Sequence, residues 1–174
     1  AECRRELDAA SAGTARVYGS EFQMNAYDGC GFALLAERRY DESAAAFAQA
    51  LRLFPGHARS QIGLAHCLAA AGRKAESHAA LERAGASITE LGRGGRLLEA
   101  ALLSAMAAVA HGRPTDAIGI LNRLLTEAPP GYPGWTIPIE PMFKPPHPQP
   151  ALGAPLPRAA ARARPAPPAA PASP

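Results

Sequence analysis

The chain has 174 residues, enough for one domain with a hydrophobic core, and no run of apolar residues is long enough to span a bilayer. Its formal charge of +3 arises in the C-terminal tail, where four basic residues follow the last acidic residue, Glu140: Lys144, Arg158, Arg162 and Arg164. The remainder has no basic excess, which argues against nucleic-acid binding, and abundant alanine with only 6% aromatic residues favours closely packed helices.

The first elements along the chain are predicted to be a cap segment and a pair of helices. Residues 1–20 are the predicted N-terminal cap segment, with residues 2–10 as a candidate helix. The first pair of helices follows at about residues 20–38 and 41–53. In the second of these, apolar side chains recur at steps of three and four residues and share one face: Tyr40, Ala44, Phe47, Leu51 and Phe54. One amphipathic helix cannot bury its own apolar stripe, so this helix requires neighbours.

The pattern of the first pair returns twice. A shift of 34 residues brings similar residues into register, among them Gly29 with Gly63, Leu34 with Leu68, Glu42 with Glu76, Ser43 with Ser77 and Phe47 with Leu81. A further shift of 40 residues places Gly72 on Gly112. These matches predict helices at about residues 58–71, 74–89, 95–111 and 114–127, with Gly72 and Gly112 just past helix ends. The six extra residues are expected in the glycine-rich stretch 91–95, because insertions favour loops.

The three copies resemble the tetratricopeptide repeat, a helix–turn–helix unit with small residues at helix crossings and a closing proline. The first copy carries the resemblance most fully, in Tyr27, Gly31, Leu34, Tyr40, Ser43, Phe47, Ala50 and Pro55. The resemblance implies an all-α fold, a short right-handed α-solenoid of about three repeats over residues 21–128. Gly31, Ala65 and Ala105 lie midway along the first helix of each pair, where small side chains let a partner helix approach closely.

Two further segments follow the repeats. Residues 129–143 contain too many prolines for a helix, yet they are too apolar to be left in water. They are predicted to form an extended strip that packs on the last repeat and caps it. Residues 144–174 are rich in proline and alanine and are predicted to be a disordered tail, because they cannot bury enough apolar surface to offset chain entropy.

No arrangement of residues points to catalysis, a cofactor or a metal. The five histidines, His57, His66, His78, His111 and His147, lack metal-ligand spacing, and Gly92–Gly95 lacks the features of a phosphate loop. Three cysteines, Cys3, Cys30 and Cys67, are an odd number without a CxxC motif, so a disulfide framework is not expected. Cys30 and Cys67 are interpreted as small buried side chains, and a reducing, cytoplasmic location is predicted.

The resemblance implies a concave groove lined by the first helix of each pair. The side chains expected to face it are Asn25, Asp28, Phe32, Leu35, Arg59, Ile62, His66, Glu99, Leu102 and Met106. Phe32, Ile62, Leu102 and Met106 would form an apolar floor with a charged rim, which suits an amphipathic helix or apolar peptide. It does not suit the version of this family that clamps a terminal carboxylate. The alternative is that residues 2–10 or the tail cover the floor.

The predicted function is therefore a non-enzymatic scaffold that binds a partner protein or peptide in the concave groove. No cofactor, nucleic acid or membrane is expected as a partner, and self-association is a further option. The alternative is a C-terminal structural, oligomerising or regulatory domain of a larger protein, suggested by a start at Ala1 rather than at a methionine.

Overall fold

The computed structural model of the chain describes residues 19–127 and 140–143. These residues form six α-helices, no strand and one short 3₁₀ turn, Pro141–Phe143. The helices are α1 (Gly19–Ala36), α2 (Tyr40–Leu53), α3 (Ala58–Ala70), α4 (Lys74–Arg93), α5 (Leu97–Ala110) and α6 (Pro114–Glu127). The helix predicted within residues 2–10, the strip as far as residue 139 and the predicted disorder of residues 144–174 lie outside the described residues.

The six helices are three stacked hairpins. Within each hairpin the two helices pack on each other, as α1 on α2, α3 on α4, and α5 on α6. The second helix of one hairpin also packs on the first helix of the next, and the first helices α1, α3 and α5 touch in turn. One continuous core of buried side chains runs through all three hairpins. The predicted all-α array of about three helical hairpins is confirmed.

The turn inside each hairpin repeats with the spacing seen in the sequence. Arg38, Gly72 and Gly112 each follow a first helix and have positive φ angles of 60°, 77° and 71°. In every case the next backbone N–H bonds a carbonyl five residues earlier, as from Arg73 to Leu68. This is the Schellman arrangement that ends a helix at a left-handed residue. Gly72 and Gly112 therefore end their helices as predicted, while the first hairpin uses an arginine for the same turn.

Substituting Arg38 with glycine is expected to stabilise the protein. A β-carbon is strained at the φ of 60° that Arg38 adopts, and the equivalent turns carry Gly72 and Gly112. We expect the free energy of unfolding to rise by about 1 kcal/mol, measured by urea unfolding. The matched control, Gly72→Ala, should lower it by a similar amount. An unchanged or lower stability in Arg38→Gly would contradict this explanation of the turn.

A buried hydrogen bond also repeats between hairpins. The Ser43 hydroxyl donates to the Gly31 carbonyl at 2.7 Å, and the Ser77 hydroxyl donates to the Ala65 carbonyl at 2.8 Å. Both serines are buried, so the bond satisfies a donor that would otherwise be costly. The third hairpin has Ala117 in place of the serine. The matched serines of the sequence therefore join the two helices of the first two hairpins.

The ring of Phe47 lies in a slot between two glycines. Phe47 is 0% exposed, and its ring meets that of Phe32 edge to face with centroids 4.8 Å apart. A β-carbon built on Gly31 of α1 would lie 2.5 Å from the Phe47 ring, and one on Gly63 of α3 would lie 2.3 Å from it. Phe47 of α2 is therefore enclosed by the first helices of two successive hairpins, and both must lack a side chain at this point.

The prediction for the six extra residues is wrong, because they lengthen a helix. Helix α4 has 20 residues, whereas α2 and α6 have 14 each. The helix runs through Gly92 and ends before Gly95, whose φ of 80° supplies the left-handed cap. Ile88 and Leu91 of the extension also pack against the core. The position of the capping glycine and this apolar contact outweigh the low helix propensity of Gly92.

Cys30 is buried as predicted, but it is also disulfide-bonded, which the sequence analysis did not expect. An odd count excludes complete pairing but does not exclude a single bridge, so the argument for a reducing compartment loses its support. Cys67 is free and buried, and its thiol donates to the Ser43 hydroxyl at 3.2 Å. Burial raises the pKa of the Cys67 thiol, as expected for a small packed side chain. No helix in the described part of the chain is suited to crossing a membrane.

Candidate peptide-binding site

A short piece of the chain lies on the face formed by the first helices. Residues 140–143, called the docked segment below, contact α1 and α5 and reach α3 through an ion pair from Glu140 to Arg59. The partner residues in this ion pair are 81 positions apart in the sequence. The docked segment thus touches one helix from each of the three hairpins, on the face where the groove was expected.

Arg59 is the cation that holds the docked segment. Its guanidinium donates to the Glu140 carboxylate at 2.9 Å and also to the Asp28 carboxylate of α1. The same group lies over the ring of Phe32, 3.9 Å from its centroid. Burial alone would lower the pKa of Arg59, but the carboxylates of Asp28 and Glu140 outweigh burial and raise it. Arg59 therefore stays charged while it links two helices and the docked segment.

Asp28 also anchors a buried polar cluster at the start of α3. Ser60 donates its hydroxyl to Asp28 at 2.7 Å, and Nδ1 of His57 lies 2.8 Å from the same hydroxyl oxygen. Serine, histidine and aspartate suggest a hydrolytic triad, but here the serine stands between the other two and is 0% exposed. Burial lowers the pKa of His57 despite the opposing pull of Asp28. This cluster joins α1 to α3 and does not present a nucleophile to a substrate.

The apolar side chains of the docked segment are buried in the protein core. Met142 is 5% exposed and Phe143 is 1% exposed, and both belong to the same buried cluster as Phe32, Ile62 and Met106. Three of the four residues predicted to form the groove floor are therefore covered, and Leu102 is half-buried. Among the described residues, Met142 and Phe143 of the predicted strip lie in the same buried cluster as these floor residues.

An open cleft of about 800 Å³ remains beside the docked segment. It lies between the starts of α1, α3 and α5 and the end of α4. Five of the ten predicted groove residues line it: Asn25, Arg59, Glu99, Leu102 and Met106. Glu99 is paired with Arg96 at 2.5 Å on the rim, where both side chains remain more than a third exposed. The cleft therefore combines apolar side chains in its lining with charged side chains at its rim.

The remaining predicted residues lie away from the cleft. Leu35 is buried in the core, and Asp28 is buried in the polar cluster. His66 is half-buried on α3, where its ring centroid is 6.4 Å from that of Tyr40. Sequence reasoning missed the roles of Ser60, His57 and Glu140. One signal was available for Glu140, because it is the single charged residue in the apolar strip 129–143. No group of His, Cys, Asp and Glu side chains in the described ranges is arranged to hold a metal ion.

Acid is expected to destabilise the protein partly through His66. Burial lowers the pKa of His66 below its ordinary value of about 6.5, so the neutral ring is favoured in the folded state. The stability that the neutral His66 ring contributes is fully present above about pH 6.5. It is lost as the pH falls from there through the lowered pKa that His66 has in the folded state. We expect His66→Gln to lose less stability than the wild type between about pH 7.5 and about pH 5, measured by urea unfolding. Equal losses would contradict the role of His66.

The comparisons with known proteins agree with this architecture. The family profile described as tetratricopeptide repeat matches residues 34–90, which run from the end of α1 through α2 and α3 to near the end of α4. Neither the curated proteins nor the solved structures gave a match to the chain. The matched stretch contains the turns at Arg38 and Gly72, the Phe47 ring with Gly63 on one side of it, and the hydrogen bond from Ser77 to the Ala65 carbonyl. Residues 34–90 of the chain are therefore similar to the tetratricopeptide repeat family.

Proposed function

We propose that this protein is an interaction module that binds an extended or helical segment of a partner protein on the face formed by α1, α3 and α5. Tetratricopeptide repeats generally mediate protein–protein interactions, and the fold is typically a non-catalytic scaffold. The observation that carries the proposal is the convergence of Asn25, Arg59, Glu99, Leu102 and Met106 on one open cleft. Apolar side chains in a concave site give affinity, and a few charged groups at its edge give orientation.

The cleft suits a peptide better than a small metabolite. Its lining comes from four helices and from the turns between them, so it is continuous with the face that already holds the docked segment. The rim carries both signs of charge, with Arg59 and Arg96 beside Glu21, Glu90 and Glu99. A partner segment with an apolar residue for the cleft and polar flanks would match this surface.

A peptide library displayed on phage and selected on the full chain tests the proposal. Peptides are selected on the wild type and then measured against two variants by fluorescence anisotropy. Leu102→Glu places a charge inside the cleft and should weaken binding at least about 10-fold. Leu97→Glu is the matched control, because Leu97 is 67% exposed on the same helix and does not line the cleft. Peptides that bind both variants equally, or a selection without enrichment, would refute the proposed site.

The alternative expectation, a structural or oligomerising domain, is tested on the same material. Light scattering of the full chain over a wide concentration range measures its mass. A monomer at every concentration would argue against self-association through this part of the protein, and a concentration-dependent dimer would favour it.

A further inference from the structure

The docked segment is bound in the way that a ligand is bound. Glu140 contributes a carboxylate to Arg59, and Met142 and Phe143 contribute two side chains that are at most 5% exposed. An ion pair that gives register and apolar anchors that give affinity are the usual division of roles at a peptide site. Residues 141–143 form a single 3₁₀ turn, so the segment is held by its side chains and not by extensive secondary structure.

The fit of the docked segment is imperfect at its charged end. Oε2 of Glu140 bonds Arg59, but Oε1 is buried without a hydrogen-bond partner among the described residues. A buried carboxylate oxygen without a donor costs free energy, because the segment gives up the hydrogen bonds that water would provide. A ligand whose carboxylate met a second donor at this position would bind with less penalty.

The local charge balance also works against the docked segment. Arg59 is shared by the carboxylates of Asp28 and Glu140, both on side chains that are less than 10% exposed. His57, which lies 3.7 Å from Asp28, has its pKa lowered by burial and so does not supply a second cation at neutral pH. One partly buried cation therefore faces two buried anions when Glu140 is docked, and release of the segment removes this excess of negative charge.

We infer that residues 140–143 are an internal ligand of the concave face, and that the partner is a peptide of the same chemistry, a carboxylate followed by two large apolar side chains, which displaces them. This inference rests on the proposed function and adds the class of partner and its regulation. A segment tethered in the same chain competes at an effective concentration near the millimolar range. In the wild-type protein a partner can bind only to molecules whose internal segment is released. The apparent affinity is therefore the intrinsic affinity multiplied by the fraction of molecules in that released state.

The test uses a fluorescent synthetic peptide with the sequence of residues 137–146, added to the full chain and followed by anisotropy. In the variant Met142→Asp/Phe143→Asp the internal segment loses its two anchors, and the peptide should bind at least about 10-fold more tightly than to the wild type. A control peptide with aspartate in place of Phe143 should bind neither protein. Circular dichroism checks that the variant is helical and melts cooperatively.

A second variant serves if the double variant does not fold. Glu140→Lys places a second cation beside Arg59 and releases the charged end, while Met142 and Phe143 keep their side chains. The peptide with the sequence of residues 137–146 should again bind more tightly to this variant than to the wild-type protein. Equal binding to wild type and variants would overturn the inference, since no competition would then exist.

The outcomes also separate this inference from the proposed function. If library peptides bind and depend on Leu102 but the 137–146 peptide binds no variant, the internal-ligand inference fails and the proposed function stands. If neither the library nor the peptide binds, both fail. A wild-type dimer that the peptide dissociates would show that a second copy of the chain takes this face, and this too would overturn an internal ligand.

Discussion

Alanine at both Gly31 and Gly63 is expected to lower the free energy of unfolding by about 3 kcal/mol or more. Each new β-carbon would lie less than 3 Å from the ring of Phe47, which is 0% exposed. A single substitution can be relieved in part if the ring shifts toward the other glycine. With both substituted the ring has no free side, so the double variant should lose more than the sum of the single losses. The higher helix propensity of alanine offsets only about 1 kcal/mol per site.

Urea unfolding of the two single variants and the double variant measures this effect. Gly29→Ala is the matched control on the same helix, because no atom lies within 4 Å of a β-carbon built there. It should stabilise the protein by about 0.5–1 kcal/mol through helix propensity alone. Replacing Phe47 with leucine in the double variant should recover part of the loss, since the smaller side chain leaves room for the added methyl groups. Stabilisation by Gly31→Ala equal to that of Gly29→Ala would contradict the slot.

Replacing Arg59 with leucine is expected to lower the free energy of unfolding by about 2–4 kcal/mol. The substitution leaves the carboxylates of Asp28 and Glu140 buried without their cation. This loss lies at the low end of the free energy lost when one partner of a buried ion pair is removed, because the side chain of Arg59 is 31% exposed. The pKa of an unpaired buried carboxyl rises, so protonation then favours the folded state. The deficit relative to wild type should therefore shrink as the pH is lowered from about 7 to about 5.

Urea unfolding at the two pH values measures this deficit, with two control variants. Arg73→Leu removes an exposed ion pair with Glu76, in which both side chains are more than half exposed, and should produce no measurable change. Asp28→Asn in the Arg59→Leu background removes one of the two unpaired charges and should recover part of the stability. A deficit that does not change with pH would mean that lost packing on Phe32, and not unpaired charge, explains the effect of Arg59→Leu.

The periodic part of the fold was predictable from the sequence. The spacing of apolar residues such as Tyr40 and Phe47 located the helices, and the glycines Gly72 and Gly112 located the ends of two of them. These signals are local, because a helix face and a helix cap each depend on residues within a few turns of one another. The length of α4 was missed because Gly92 resembles a loop residue, although the helix cap lies at Gly95.

The long-range part of the candidate site was not predictable in the same way. Arg59 and Asp28 were expected on the rim of an open groove, but they pair with each other in a partly buried cluster. The missing element was Glu140, which is far from Arg59 in the sequence and belongs to a segment without periodic structure. Apolar residues in a proline-rich strip indicate that it must be covered, but they do not indicate which surface covers it. The contact depends on shape and charge across three hairpins.

Nuclear magnetic resonance of the methionine methyl groups tests most directly whether residues 140–143 lie on the face formed by the first helices. The chain has three methionines: Met24 of α1, Met106 of α5 and Met142 of the docked segment. Labelling their ε-methyl groups in the full chain gives three signals, which single Met→Leu substitutions assign. We expect nuclear Overhauser effects from the Met142 methyl group to protons of α1 and α5, and their loss in Phe143→Asp. A Met142 methyl signal with the shift and relaxation of a free side chain, and without these effects, would contradict the account.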